Sequence, residues 1–321
     1  MTLTIRVNDL DVNLQTICDL LCEGKCIGLP TETVYGLAAD ATNGRAVARI
    51  FEMKGRPKFN PLICHVSGME MAREYGRFDP VSEKLAQAFW PGPLTIVLPL
   101  AEGTKVHPLV SAGLDTIGLR CPEGPARDVI ASFGKPLAAP SANRSGKISP
   151  TTAKHVSQQF PDAELMIVDA GRCAVGIEST IVKIDDGNIC LLRPGAITSE
   201  MIAEVSGVIP VATVSNKIEA PGMMESHYAP DAAVILNCDS CPSDAALLKF
   251  GNRMPNAASP VSLNLSETGD LVEAAANLYA YVKQLDESGI SKICVEPIPM
   301  EGLGIAINDR LTRSAAPRGI T

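Results

Sequence analysis

The sequence predicts an α/β protein in two parts: a mixed-sheet region over 1–206, a connector over 207–230, and a smaller parallel-sheet α/β region over 231–321. Three observations carry this reading. Short apolar runs bounded by Gly, Pro or Asn recur through the first part, as strands do. The connector holds Pro210, Pro221, Gly222 and Pro230 with little periodicity. Beyond it, strand-like and helix-like patterns alternate. A length of 321 residues suits two domains at roughly 100–200 residues each.

Residues 10–23 have the spacing of an amphipathic helix, and Cys26-Ile-Gly-Leu-Pro reads as a short buried strand ending in a turn. Ala46, Val47, Ile50 and Phe51 share one helical face, and Lys54-Gly-Arg-Pro ends that helix. Strands are expected over Pro61–Val66, Leu94–Leu100, Thr116–Cys121, Pro136–Ala139 and Leu165–Val168. Ser179–Ile184 and Ile189–Arg193 flank Asp185-Asp-Gly-Asn, a hairpin signature. In the last part, Ala233–Asn237, Pro260–Leu265 and Lys292–Val295 read as strands. Asp244–Phe250, Asp270–Leu285 and Gly304–Ala315 read as helices.

Composition narrows the function. With 46% hydrophobic and 20% charged residues, the chain is not disordered, collagen-like or a coiled coil. Lys plus Arg at 28 against Asp plus Glu at 36 leaves a net charge of -8, which opposes a nucleic-acid binder held by phosphate neutralisation. Phosphate chemistry must then be local. The N-terminal residues carry no basic-then-apolar leader, and no apolar run approaches the ~18 residues of a membrane span, so a cytoplasmic protein without membrane partners is expected. Ten cysteines in such a chain read as reduced thiols. Cys18, Cys22 and Cys26 recur every four residues without a fourth ligand, and Cys238-Asp-Ser-Cys241 has no second pair, so neither is read as a metal site.

Polar residues cluster where strands end. Pro30-Thr-Glu-Thr-Val-Tyr-Gly supplies two hydroxyls and a carboxylate; Lys54-Gly-Arg56-Pro-Lys-Phe-Asn60 sets two cations near an amide. An isolated Lys-x-Arg at a helix end ordinarily complements the helix dipole. Ala139-Pro-Ser141-Ala-Asn143-Arg-Ser-Gly-Lys-Ile-Ser149 is a hydroxyl- and glycine-rich loop suited to phosphate oxygens, and Glu178-Ser179-Thr180 and Leu192-Arg193-Pro-Gly add hydroxyls and a cation. A Walker-type P-loop is absent, as are Ser-His-Asp spacing and a His-x-x-x-His pair. Gly302-Leu-Gly304 lacks the third glycine of a dinucleotide fingerprint. His65 lies within an apolar run, where a lone histidine is ordinarily structural.

Taken in order, Pro30-Thr-Glu-Thr-Val-Tyr-Gly-Leu, Lys54-Gly-Arg-Pro, Asn60-Pro-Leu-Ile-Cys-His-Val, Phe89-Trp-Pro-Gly-Pro-Leu-Thr, Ala139-Pro-Ser-Ala-Asn, Ser149-Pro-Thr, Glu178-Ser-Thr and Leu192-Arg-Pro-Gly resemble the YrdC/Sua family. Pro221-Gly-Met, His227-Tyr-Ala-Pro230 and Gly302-Leu-Gly-Ile-Ala-Ile-Asn-Asp-Arg-Leu resemble the linker and C-terminal domain of its longer, Sua-type members. The resemblance implies a YrdC-like twisted mixed-sheet domain followed by a linker and a smaller Rossmann-like α/β domain. It also implies a reaction: L-threonine, bicarbonate and ATP, with Mg2+, give threonylcarbamoyl-adenylate and pyrophosphate. Other proteins then transfer the group to an adenosine beside the tRNA anticodon, so strong direct tRNA binding is not expected.

By resemblance, Thr33, His65, Arg120, Ala139 and Ser179 hold threonine, with Arg120 on its carboxylate. Lys54, Arg56, Asn60, Thr116, Ser141, Asn143, Ser149, Arg193 and Tyr228 hold ATP, and Lys54 and Arg56 are the catalytic cations; no side chain is assigned to a metal. Met224-Glu-Ser226 stands where members often carry basic or aromatic residues. Three rival readings make other predictions. An RNA-binding module predicts salt-sensitive affinity without adenylate formation, a carbamoyltransferase predicts carbamoyl phosphate turnover, and a regulatory protein predicts none.

Overall fold

The computed structural model describes residues 2–6, 9–212, 219–223, 227–254 and 258–317. The first part runs β1 (Leu3–Arg6), α1 (Leu10–Cys22), β2 (Ile27–Pro30), β3 (Tyr35–Asp40), α2 (Gly44–Lys54), β4 (Ile63–His65), α3 (Met69–Arg73), α4 (Pro80–Phe89), β5 (Leu94–Pro99), β6 (Thr116–Arg120), α5 (Pro125–Phe133) and β7 (Leu137–Ala138). It continues with α6 (Ala153–Gln159), β8 (Met166–Asp169), β9 (Thr180–Asp185), β10 (Asn188–Arg193), α7 (Ser199–Ser206) and β11 (Val211–Ala212). The last part holds β12 (Ala233–Ile235), β13 (Ala246–Lys249), β14 (Ser262–Asn264), α8 (Leu271–Asp286), β15 (Lys292–Val295) and α9 (Leu303–Ala315).

An 11-stranded mixed sheet is ordered β1-β8-β2-β3-β7-β4-β6-β5-β9-β10-β11, and a 4-stranded sheet is ordered β12-β15-β13-β14. All pairs of the smaller sheet are parallel. Local chemistry explains the elements. Asn43 caps α2 by accepting from the Arg45 and Ala46 amides, and Gly55 ends it at φ 60, where a side chain would be strained. The expected face of α2, Ala46, Val47, Ile50 and Phe51, is buried, and Lys54 turns inward with it. Asp186 and Gly187 take φ 45 and 79 between β9 and β10, as a two-residue turn matched to strand twist requires.

One expected element takes another form, and other elements, β3 and α4 among them, were not expected. Asp244–Phe250 is not a helix: Ala246–Lys249 is the strand β13, flanked on both sides by parallel neighbours. Its buried Ala-Leu-Leu core is as apolar as a helix segment but is covered on both faces. Tyr35–Asp40, where no element was expected, is the fully buried strand β3. The Gly302-Leu-Gly304 turn opens α9, and a side chain at Gly304 would run into the Pro299 carbonyl. Close packing thus accounts for that glycine.

The two parts share a core. Val34, Ile148 and Ile177 of the first part, and Tyr228 of the connector, pack with Leu278, Tyr279 and Leu311 of the last. No helix among the described residues is long and apolar enough to cross a membrane. Met224–Ser226 lies outside the described residues.

Candidate active site

Parallel pairing of β4 and β6 brings His65 opposite Arg120 at their C-terminal ends. The Thr31–Thr33 turn after β2, Ala139 and Ser141 after β7, Glu178 and Ser179 before β9, and Arg193 at the end of β10 converge on the same place. Pro221, Gly222, His227 and Tyr228 of the connector complete the cleft that these residues form. Of the residues expected from sequence, Thr33, Arg56, His65, Arg120, Ala139, Ser141, Ser179, Arg193 and Tyr228 line this one cleft.

Others stand behind its walls. Lys54 Nζ donates to the carbonyls of Ser141 and Asn143, so this ammonium reaches the cleft through the loop it holds. Asn60 accepts from Arg56 Nη2 through Oδ1 at 2.8 Å and from Nε through its carbonyl at 3.1 Å. Asn143 Nδ2 ties the loop to the carbonyls of Arg144 and Lys147, and the Ser149 hydroxyl donates to Glu178. Thr116 does not join them. It begins β6, roughly 13 Å along the strand from Arg120 at ~3.3 Å per residue.

The electrostatics are lopsided. Lys54, Arg56 and Arg193 are buried, and among the described residues none pairs with a carboxylate. Burial, and then neighbouring Arg193, lowers the Arg56 guanidinium to about 10, with Tyr228 opposing; burial also lowers Lys54 and Arg193. Arg193 donates to the Ser179 carbonyl and hydroxyl at 3.0 Å each. Lys54 and Arg193 share the field of the Glu178 carboxylate, which Arg310 already engages; buried cations short of counter-charge are costly, so the site is arranged for an anionic occupant.

Elsewhere on the same cleft wall a cation is paired. Arg120 donates to the Thr33 hydroxyl at 2.9 Å and pairs with Glu32 at 2.7 Å. Burial, with Arg120 adding to it, holds His65 down at about 3, and its Nδ1 has no partner among the described residues. Burial likewise lowers His227 to about 3. Both imidazoles are therefore neutral near pH 7. Because their folded values lie below about 6.5, the unfolded chain binds protons first as pH falls, and stability is lost below about 6.5 toward 3. Urea unfolding at pH 5 should show about 2 kcal/mol less stability per histidine than at pH 7, and a His65→Gln variant should lose less over that interval.

In the sequence Glu32 stands out only as the carboxylate of its turn, Glu178 and Arg310 lie inside recognised segments without a role, and Tyr279, which like Arg310 bonds Glu178, lies outside them. All ten cysteines are free thiols. Among the described residues no cluster of His, Cys, Asp or Glu is arranged to hold a metal.

Residues 19–195 match the Sua5/YciO/YrdC family, described as "Telomere recombination", and residues 197–316 match "Threonylcarbamoyl-AMP synthase, C-terminal domain". The threonylcarbamoyl-AMP synthase of Pyrococcus abyssi is 37% identical over 99% of both chains. That of Bacillus subtilis is 37% identical over 99% of this chain and 97% of its own. The crystal structure of P. abyssi Sua5 complexed with L-threonine superposes with a TM-score of 0.88, at 34% identity over 98% of this chain and 97% of that one. A cation-rich cleft closed by a connector, in a chain matched along its whole length, places this protein in the threonylcarbamoyl-AMP synthase family, in the form that carries the C-terminal domain.

Proposed function

We propose that the chain makes L-threonylcarbamoyl-AMP and pyrophosphate from ATP, L-threonine and bicarbonate, supplying the group that cytoplasmic transfer proteins place beside the tRNA anticodon. The observation that carries the reading is the set of three buried cations without a salt-bridge partner among the described residues, Lys54, Arg56 and Arg193, at the cleft that Thr33, His65, Arg120, Ala139 and Ser179 also line. The threonine amine and bicarbonate condense to a carbamate with loss of water. A carbamate oxygen attacks the α-phosphorus of ATP, and the bond to the bridging oxygen breaks as pyrophosphate leaves. Fixed cations stabilise charge that grows on the leaving group.

Arg120 takes the threonine carboxylate in exchange for Glu32, and Thr33, His65 and Ser179 orient the rest of the amino acid. Arg56, Arg193, Ser141 and Tyr228 face the nucleotide, with Asn60, Asn143 and Ser149 supporting them from behind the wall; Thr116 neither lines the cleft nor, among the described residues, bonds one that does. The lining does not fit a protein-held metal, since Glu32 and Glu178 are engaged with Arg120 and Arg310. Mg2+ would accompany ATP on its phosphates and screen their charge. The domain division is 1–206, 207–230 and 231–321, with β11 extending the first sheet into the connector.

The deciding experiment is mass spectrometry of a reaction containing ATP, threonine and labelled bicarbonate. Pyrophosphate release should require threonine and bicarbonate together; absence of labelled adenylate with all three present would sink the assignment. Serine should work roughly fourfold less well, since it forgoes about 0.8 kcal/mol of methyl burial against Ala139 and Ile63. His65→Ala should weaken threonine binding more than ATP binding in calorimetric titrations. Ser179→Ala should do the same to a lesser degree, because its hydroxyl also anchors Arg193. Equal losses for both ligands from His65→Ala would contradict the assignment of the pocket.

A further inference from the structure

We infer that Arg310, on the last helix, is a positioning residue of the active site, fixing the Glu178 carboxylate and the Tyr228 ring against the cleft so that the C-terminal region completes the site. The inference rests on the proposed synthase reading and deepens it. Arg310 is fully buried. Its Nε donates to Glu178 Oε2 at 2.8 Å, Nη2 to the Pro194 carbonyl at 3.0 Å, and Nη1 to Asp309 at 2.6 Å. One guanidinium therefore holds the residues immediately next to Ser179 and Arg193, both of which line the cleft.

The same helix holds the connector. The Arg310 guanidinium lies 5.3 Å from the centroid of the Tyr228 ring, within cation–π range. One turn on, Ser314 donates to the Tyr228 carbonyl at 2.9 Å, and the Arg313 carbonyl accepts from the His227 amide at 3.2 Å. From α8, the Tyr279 hydroxyl donates to Glu178 Oε2 at 2.7 Å. A simple tether between two regions needs contacts anywhere along their border. Besides border contacts such as Arg172 with the Ala276 carbonyl, a cluster of them here meets at Glu178, Tyr228 and the backbone beside Ser179 and Arg193.

Glu178 faces Ser149 of the loop after β7, Lys54 of α2, Arg193 of β10, His227 and Tyr228 of the connector, Tyr279 of α8 and Arg310 of α9. Burial pushes its carboxyl up, but Arg310 and then Arg193, with the Ser149 hydroxyl, outweigh burial and hold it at about 2. Without Arg310 the burial effect is opposed by fewer groups and the carboxyl rises. A group displaced upward takes a proton as pH falls, so the defect is worst in acid and eases in alkali.

The test compares full-length Arg310→Met, Arg310→Lys and Tyr279→Phe with the unaltered chain, measuring adenylate formation between about pH 6 and 9 and ATP affinity by titration. Arg310→Met is expected to lose about tenfold or more in kcat/KM near pH 7, recovering severalfold toward pH 9, and to bind ATP more weakly. Tyr279→Phe should move the same way by less, and Arg310→Lys, which keeps the charge, should restore the flat pH profile. Activity per folded molecule equal to that of the unaltered chain, or a loss of the same size at every pH, overturns the inference. Should Arg310→Met fail to fold, Tyr279→Phe carries the comparison. Titration needs no turnover, so an unaltered chain that makes no adenylate would refute the synthase reading while the variants' ATP affinities still decide the role of Arg310.

Discussion

Arg56→Ala is expected to slow adenylate formation by at least about tenfold, equivalent to ~1.4 kcal/mol of transition-state stabilisation, with most of the loss in kcat. The guanidinium lines the cleft, is held by Asn60 and the Pro61 carbonyl, and leaves Nη1 without a protein partner among the described residues. That nitrogen is free to meet a ligand. Lys54→Ala should be as slow but should also melt earlier, because the carbonyls of Ser141 and Asn143 lose their donor and a buried unsatisfied carbonyl costs about 1–3 kcal/mol. Measuring the melting temperature beside turnover per folded molecule separates the two. If both variants lose only stability, the cations merely cap α2 and the anion-site reading is wrong.

These two cations also mark the limit of what sequence patterns disclose. Lys54-Gly-Arg56 could be found because a glycine that ends a helix at positive φ leaves a recognisable signal, yet the destination of each side chain could not. One enters the cleft and the other grips the loop behind it. The hairpin at Asp186-Gly187 and the buried face of α2 were legible because their signals are local. Strand β13 was not, since a four-residue run buried on both faces has no periodicity, and β3 hid behind Gly36, Ala38 and Ala39, which are weak strand formers. The start of α4 was there to be read: Asp79 and Ser82 form a reciprocal cap, with Pro80 in the first turn. Glu178 and Arg310 lie 132 residues apart in the chain, and only the docking of α9 on the first region makes them partners. No spacing rule reaches that far.

Tyr228→Ala is expected to cut adenylate yield by about tenfold or more, the larger share coming from the ring and a smaller share from the hydroxyl. A connector need only span two domains, for which Pro and Gly suffice. This one does more. Tyr228 sits at φ 61, a backbone conformation that a non-glycine residue adopts at a cost, and it is 1% exposed. His227 and Tyr279 meet its ring at 4.0 and 5.6 Å between centroids, and its buried hydroxyl has no partner among the described residues. A strained residue with an orphaned hydroxyl in the cleft wall fits a contact completed by the bound nucleotide. Gly222 makes the approach possible: at φ 86, a Cβ there would stand 2.8 Å from the Tyr228 hydroxyl and 3.0 Å from Arg193 Cδ. Tyr228→Phe should then lose about two- to threefold, the worth of a hydrogen bond at ~0.5 kcal/mol, whereas Gly222→Ala should impair both Tyr228 and Arg193 and resemble Tyr228→Ala. Cutting the chain after Val205 would remove the connector outright, but it also exposes Val34, Ile148 and Ile177, which pack against the last part, so the point variants isolate the effect better. Full activity in Tyr228→Ala and Gly222→Ala alike, measured by labelled adenylate production, would reduce the connector to a tether.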